Sequence, residues 1–167
     1  MSTSLAVEKL VIARHGDYKS DGHLSEQGRG DVEILAGQIR TFMGTEYVQH
    51  GVTLVLSSES DRARETADII SSLLGLTCIS NHALGDENGK AYMGTWVAEQ
   101  LASFLNSYQG IIAVTHQDQV DYLPAHMHPN VRGGQGKLPY AWAHGFDQAG
   151  NRFGLSPEQI YPPKRMR

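Results

Sequence analysis

Four side chains in this 167-residue sequence have the types and placement to handle a phosphate group: the adjacent Arg14 and His15, then Arg62, then His116. A phosphate dianion is matched by guanidinium groups, whose fork of N–H donors meets its oxygens two at a time. Displacement at phosphorus needs a nucleophile in line with the leaving group. A neutral imidazole can serve and then carries the phosphoryl group as phosphohistidine. Neighbouring arginines favour the neutral ring, because like charge lowers a histidine's pKa. A backbone acceptor on the second ring nitrogen would fix the tautomer. Taken singly, each residue is ordinary: an Arg-His pair decorates many surfaces, and a histidine after an apolar strand often caps or packs. Their shared placement gives them meaning, and that placement depends on the elements that carry them.

Residues 5–13, with Leu5, Val7, Leu10, Val11 and Ile12, read as a buried strand ending just before Arg14. A polar loop over 14–24 leads to Ser25, a helix cap. Val32, Leu35, Ala36, Ile39, Phe42 and Met43 follow at helical spacing, and Gly44 suits the stop. Gly28 and Gly30 weaken the first turn of that helix. Residues 53–56 form a second strand and 57–61 a turn with Ser60 as cap. An amphipathic helix then carries Ala63, Ala67, Ile70 and Leu74 up to Gly75. A third strand spans 77–80, where Cys78 is expected to pack in the core. Residues 82–95 are glycine-rich and irregular. Thr95 is read as the cap of a helix with Val97, Leu101, Phe104 and Leu105 on one face. The most apolar strand is 110–115, GIIAVT, and a helix over about 118–125, stopped near Pro129, comes next. Residues 126–138 look like a loop, 140–146 a strand, 147–151 a hairpin turn, and Pro162 and Pro163 an extended tail. Strands alternating with helices imply a parallel sheet covered on both faces. Ligands of such sheets sit outside the carboxyl ends of the strands. That rule selects residues 14–17, 57–62 and 115–118, which hold Arg14 and His15, Arg62, and His116.

Composition narrows the classes. At 40% hydrophobic and 19% charged, the sequence is that of a globular protein, expected as one domain over 1–167. The net charge is −4, from 18 acidic and 14 basic side chains, and the only basic cluster is Lys164, Arg165 and Arg167. No nucleic-acid role is expected. The single cysteine, Cys78, rules out an intramolecular disulfide and a thiolate zinc cluster. Residues 1–8 do not read as a signal peptide. No run approaches the roughly 18 apolar residues of a membrane span, so no membrane partner and a cytoplasmic location are expected. His126 and His128 form a His-x-His pair without an obvious third ligand, and no metal is expected there. The glycines of 131–137, VRGGQGK, do not follow a strand and lack Ser or Thr after the lysine, so they fail the phosphate-loop pattern.

Residues 11–16, VIARHG, resemble the Arg-His-Gly motif of the histidine phosphatase superfamily, which includes the phosphohistidine-using phosphoglycerate mutases. Residues 24–28, LSEQG, resemble the opening of that family's first helix. Residues 57–67, SSESDRARETA, are similar to its second-arginine motif, and 110–116, GIIAVTH, to the strand bearing its second histidine. The segments occur in family order over roughly residues 7–120, while 126–167 match poorly. The resemblance implies a three-layer α/β/α sandwich with a mainly parallel central sheet. It implies His15 as the phosphorylated histidine, Arg14 and Arg62 as phosphate ligands, and His116 as the second pocket histidine. Gly16, Asp17 and Gln117 are expected to contact substrate. A general acid is expected at Asp86 in HALGDENG, residues 82–89, with Glu87 and Asp17 as the alternatives.

The departures are local. Asp17 stands where many members have Glu, a spelling similar to small bacterial phosphohistidine phosphatases that lack a lid. Glu59 and Ser60 replace Pro-Leu, Thr115 precedes His116 where Gly is common, and Gln117 follows where Gly is frequent. The resemblance implies hydrolysis of a phosphorylated small molecule or phosphoprotein, at a phosphomonoester or phosphohistidine, with no cofactor. A mutase-like phosphotransferase and a non-catalytic phospho-ligand binding module on the same fold are the alternatives. The 82–95 segment is too short for a helical lid, which favours an open site.

Overall fold

In the computed structural model, which describes residues 5–158 and 164–165, the alternating pattern resolves into one sheet with helices on both faces. The strands are β1 (Lys9–Arg14), β2 (Thr53–Ser57), β3 (Cys78–Ser80), β4 (Gly110–Thr115), β5 (Ala143–Phe146), β6 (Arg152–Leu155) and β7 (Lys164–Arg165). The helices are α1 (Glu26–Met43), α2 (Asp61–Leu74), α3 (Gly94–Gln100), α4 (Ala102–Leu105), α5 (Gln119–Tyr122) and α6 (Pro124–Met127). Strand order is β3-β2-β4-β1-β5-β6-β7. The first four run parallel, and β5, β6 and β7 extend the sheet with antiparallel pairings. The expected three-layer sandwich is present.

Alternation along the strands divides the core. Val11, Ala13, Val55, Ile112 and Val114 pack under α1 and α2 with Val32, Leu35, Ile39, Ala67 and Ile70. Leu10, Ile12, Leu54, Leu56, Ile111 and Ala113 face the other way, against Val97, Leu101, Leu105, Val120 and Leu123. The central strands are thus apolar on both sides, as a parallel sheet requires. Among the described residues, no helix is long and apolar enough to cross a membrane.

Several boundaries differ from the sequence expectation. β1 starts at Lys9, not residue 5, because its ladder begins where Lys9 meets Gly110, while Ala6 and Glu8 donate to Leu105 and Gln109 instead. Thr95 is not a cap. The 3₁₀ turn Ala91–Met93 runs directly into α3, so Met93 is already helical and no extended residue precedes the helix. The helix expected over 118–125 splits into α5 and α6 at Pro124, which has no N–H to continue the ladder. β5 is shorter than 140–146 because Ala141 has φ 60°, outside the strand region. Cys78 lies on the edge strand β3, half-buried, and burial pushes its thiol up to about 11. The turn at 147–151 is present, closed by Asp147 N–H on the Asn151 carbonyl. Pro162, Pro163 and Arg167 lie outside the described residues.

α1 begins as expected at Ser25, whose hydroxyl accepts from the Gly28 N–H at 3.0 Å. Gly28 does more than weaken a turn. A Cβ there would lie 2.1 Å from the Asp17 carbonyl oxygen, so the helix can approach the loop after β1 only because this side chain is absent. Helix propensity alone favours Ala by about 1 kcal/mol. The overlap outweighs it, and Gly28→Ala is expected to destabilise the protein by roughly 1–3 kcal/mol. Urea denaturation would measure this; a gain in stability would show that the loop yields freely.

Candidate active site

The site follows from register. Arg14 pairs with Thr115 across β1 and β4, and Ser57 with Val114 across β4 and β2. The three strands therefore end nearly level, and the next residues, His15, His116 and Ser58, lie side by side. Backbone bonds hold them there: His15 N–H to the Thr115 carbonyl at 3.1 Å and Ser58 N–H to the Val114 carbonyl at 3.0 Å.

His15 is 3% exposed. Its Nδ1 is 2.9 Å from the Gly16 carbonyl oxygen, which can only accept, so Nδ1 carries the proton. Its Nε2 is 3.2 Å from Arg62 Nε, an obligatory donor, so Nε2 presents its lone pair. The two bonds together define one neutral tautomer. Burial is the main cause that lowers the His15 pKa to about 3. The charges of His116, Arg62 and Arg14 add to it, against the opposing Gly16 hydrogen bond. Behind the ring, Gly16 N–H donates to the buried Thr66 hydroxyl at 3.0 Å, and that hydroxyl donates to the Arg62 carbonyl at 2.8 Å. A Cβ on Gly16 would lie 2.9 Å from Val32 and 3.1 Å from the Gly28 carbonyl.

Arg14 ends β1 and donates through Nη1 to the Leu138 carbonyl at 2.9 Å. Its guanidinium carbon is 4.0 Å from the centre of the Tyr140 ring. That of Arg62, in the first turn of α2, is 4.5 Å from the centre of the Tyr18 ring. Among the described residues, neither arginine forms an ion pair with a carboxylate.

His116 is also buried, and its Nε2 is 2.9 Å from the Ser58 hydroxyl. Burial lowers its pKa most, with Asp86 and Glu87 pulling it up and Arg62 and Arg14 pulling it down. A cleft of about 350 Å³ opens beside it, lined by Ser58, Glu59, Ser60, Arg62, His82, Gly85, Asp86, Glu87 and His116. The wall bearing the exposed Asp86 and Glu87 consists of single 3₁₀ turns. It is held from below by the buried Thr115 and Gln119 and the half-buried Tyr122. The Thr115 hydroxyl donates to Leu84 O at 2.8 Å, Gln119 Nε2 donates to Ala83 O and Asn88 O at 3.1 Å, and the Tyr122 hydroxyl reaches Asn88 O at 2.9 Å. Thr115 and Gln119 are also bonded to each other.

The structure thus gathers Arg14, His15, Gly16, Arg62 and His116, with Asp86 and Glu87 across the cleft. Asp17 is engaged elsewhere. Its carboxylate accepts from the Ser25 hydroxyl at 3.1 Å and its carbonyl from the Ser25 N–H, so it supports the start of α1. Gln117 is exposed past His116 and is not among the cleft residues. Ser60 occupies the cap position of α2, but its hydroxyl makes no capping bond. His128 has both ring nitrogens committed, Nε2 donating to the Glu8 carbonyl and Nδ1 accepting from the Asn130 N–H, so no lone pair remains for a metal. Among the described residues, no group of three or more His, Cys, Asp or Glu could hold a metal ion. Sequence reasoning missed Ser58, Thr66, Tyr18 and Tyr140. Ser58 was within reach, since it follows β2 as His15 follows β1 and His116 follows β4.

The sequence profile of the histidine phosphatase superfamily (branch 1) matches residues 10–121. No curated protein matches the sequence closely enough to count as a relative. Solved structures of similar fold include the protein histidine phosphatase SixA complexed with tungstate, at 19% identity and a TM-score of 0.62, covering 89% of this chain and 97% of that one. A putative α-ribazole-5'-P phosphatase from Escherichia coli aligns at 18% identity and a TM-score of 0.57, covering 93% and 98%. A mycobacterial glucosyl-3-phosphoglycerate phosphatase aligns at 16% identity and a TM-score of 0.55, covering 95% and 100%.

The His15 environment has a pH consequence. In the unfolded chain the ring titrates near its ordinary value of 6.5, and in the folded one near 3. Between those values the unfolded state binds the extra proton, so stability falls as pH drops through that window. Urea midpoints measured from pH 7 to pH 4 should decline less steeply in His15→Asn than in the wild type. Parallel slopes would place the titration on other groups.

Proposed function

This chain belongs to the histidine phosphatase superfamily (branch 1), and from that membership we propose that it is a phosphatase that passes a phosphoryl group from its substrate to water through His15. The observation that carries the proposal is the His15 ring itself. Its proton is fixed on Nδ1 by the Gly16 carbonyl, and its Nε2 lone pair lies beside Arg62.

In the first step Nε2 attacks phosphorus and the bond to the leaving oxygen or nitrogen breaks. Arg62 gives up its bond to Nε2 on substrate binding and turns its donors onto the phosphoryl oxygens, with Arg14 and His116 holding the others. Asp86 is the proton donor to the leaving oxygen, with Glu87 beside it as the alternative. In the second step the same carboxylate takes a proton from water, which attacks phosphorus and releases His15. The arginines and His116 supply the positive charge and hydrogen bonds that the transition state needs, and the reaction requires no metal ion.

The substrate is a phosphorylated small molecule or phosphoprotein carrying a phosphomonoester or phosphohistidine. The structural neighbours, which span a protein histidine phosphatase, a putative α-ribazole-5'-P phosphatase and a glucosyl-3-phosphoglycerate phosphatase, support that breadth. The exposed Asp86 and Glu87 admit water to the cleft, which favours hydrolysis over a mutase that must retain its intermediate. The same reading treats residues 1–167 as one catalytic domain.

Wild-type protein should hydrolyse p-nitrophenyl phosphate in the presence of EDTA. Quenched in alkali during turnover, it should carry acid-labile phosphate, and His15→Ala should lose both properties. Label retained in the mutant would move the nucleophile, and activity lost to EDTA and restored by zinc would replace the mechanism.

The proton donor is tested by leaving-group basicity. An alkyl phosphate releases a strongly basic alkoxide, while an activated aryl phosphate releases a weak base. Asp86→Asn is therefore expected to slow alkyl phosphate hydrolysis by on the order of 10²-fold and aryl phosphate hydrolysis far less. Equal losses on both would remove Asp86 from the role, and the pattern arising in Glu87→Gln instead would transfer it.

A further inference from the structure

Two guanidinium groups flank His15, and among the described residues no carboxylate holds them. A long arginine side chain is mobile by default, and fixing it costs rotamer entropy. A carboxylate partner would fix it but would occupy the donors that a phosphate needs. An aromatic face attracts the cation from above the guanidinium plane and leaves the in-plane N–H donors free. The structure pairs each arginine with such a face: Arg14 with Tyr140 at 4.0 Å and Arg62 with Tyr18 at 4.5 Å.

The two tyrosines also contact each other and the nucleophile. Their rings meet edge to face at 5.9 Å, and each approaches the His15 ring, Tyr18 at 5.4 Å and Tyr140 at 5.7 Å. Neither hydroxyl makes a hydrogen bond among the described residues, whereas both ring faces are in contact with an arginine. Among the described residues Arg14 Nε is shut off from solvent without a hydrogen-bond acceptor, an unpaired in-plane donor beside the Tyr140 ring. The backbone delivers Tyr140 to this place. Arg14 N–H donates to the Trp142 carbonyl, Ala141 N–H donates to the His15 carbonyl, and Arg14 Nη1 donates to the Leu138 carbonyl. Residues 138–142 therefore wrap Arg14 and His15. Within them Ala141 adopts φ 60°, a conformation that L residues take at a cost and that tends to persist at functional sites.

We propose that Tyr18 and Tyr140 are positioning residues for the phosphate-binding arginines, an aromatic clamp that orients both guanidinium groups without neutralising them. This rests on the reading of the cleft as a phosphatase site. The clamp acts through Arg62 and Arg14, and its contact with the nucleophile is ring against ring.

Isothermal titration with inorganic phosphate tests the clamp apart from turnover. Tyr18→Leu and Tyr140→Leu should each weaken phosphate binding by about 3- to 30-fold, the range of one cation–π contact. kcat/KM for p-nitrophenyl phosphate should fall with it. Tyr18→Phe and Tyr140→Phe should restore binding to within about threefold of wild type, because they keep the ring face. Urea midpoints of all four variants separate lost packing from lost orientation. Unchanged phosphate affinity in the leucine variants would overturn the clamp, as would equal losses in the leucine and phenylalanine variants. Wild-type protein that binds phosphate without hydrolysing any phosphomonoester or phosphohistidine peptide would overturn the phosphatase reading alone. Failure of the wild type to bind phosphate would overturn both.

Discussion

Arg14 lies opposite Thr115, and Ser57 opposite Val114, in ladders whose two faces are filled by different sets of helices. Register in such a sheet is hard to change. A slip of one residue would send every side chain of the strand to the opposite face. Leu10 and Ile12 would then meet α1 and α2 in place of Val11 and Ala13, and both close-packed layers would have to rearrange. The core thus fixes where three strands end, and the residue after each end has nowhere to go but the common edge. His15, His116 and Ser58 are neighbours for that reason, although the sequence separates them widely.

The edge they share is electrostatically unusual. It concentrates arginine charge near two buried histidines, and among the described residues the guanidinium groups have no carboxylate partner. Burial and the like charges act in the same direction and keep His15 neutral. The carboxylates of Asp86 and Glu87 stand across the cleft, where they influence His116 without pairing with either arginine.

The two sides of the cleft are built differently. The side bearing Arg14 and His15 is set by strand register and by the close approach of Gly16 and Gly28, which leaves little freedom. The opposite side consists of single 3₁₀ turns, held by Thr115, Gln119 and Tyr122 donating to backbone carbonyls. Change of the surface residues on those turns would alter that side while the His15 side stayed as it is. Thr115 belongs to both, as the register partner of Arg14 and as a support for residue 84.

Local signals in the sequence determined a good deal. The 3.6-residue period and its Ser25 and Gly44 ends defined α1, the GIIAVT run defined β4, and the strand-end rule brought Arg14, His15, Arg62 and His116 together. Each of these depends on residues within one element or on how such elements conventionally stack. The remainder depended on contacts between distant segments. Asp17 supports Ser25 rather than facing the cleft, because the loop must reach the first turn of α1. Thr95 is no cap, because a preceding turn arrives already helical. Tyr140 leaves no trace in the local pattern: the segment that holds it meets Arg14 across 124 positions of chain, through the Leu138 carbonyl. Hydrophobic period and capping are properties of neighbouring residues, so they can be read along the chain. The position of one ring over one guanidinium is set by how the packed layers close, and only the folded structure decides it.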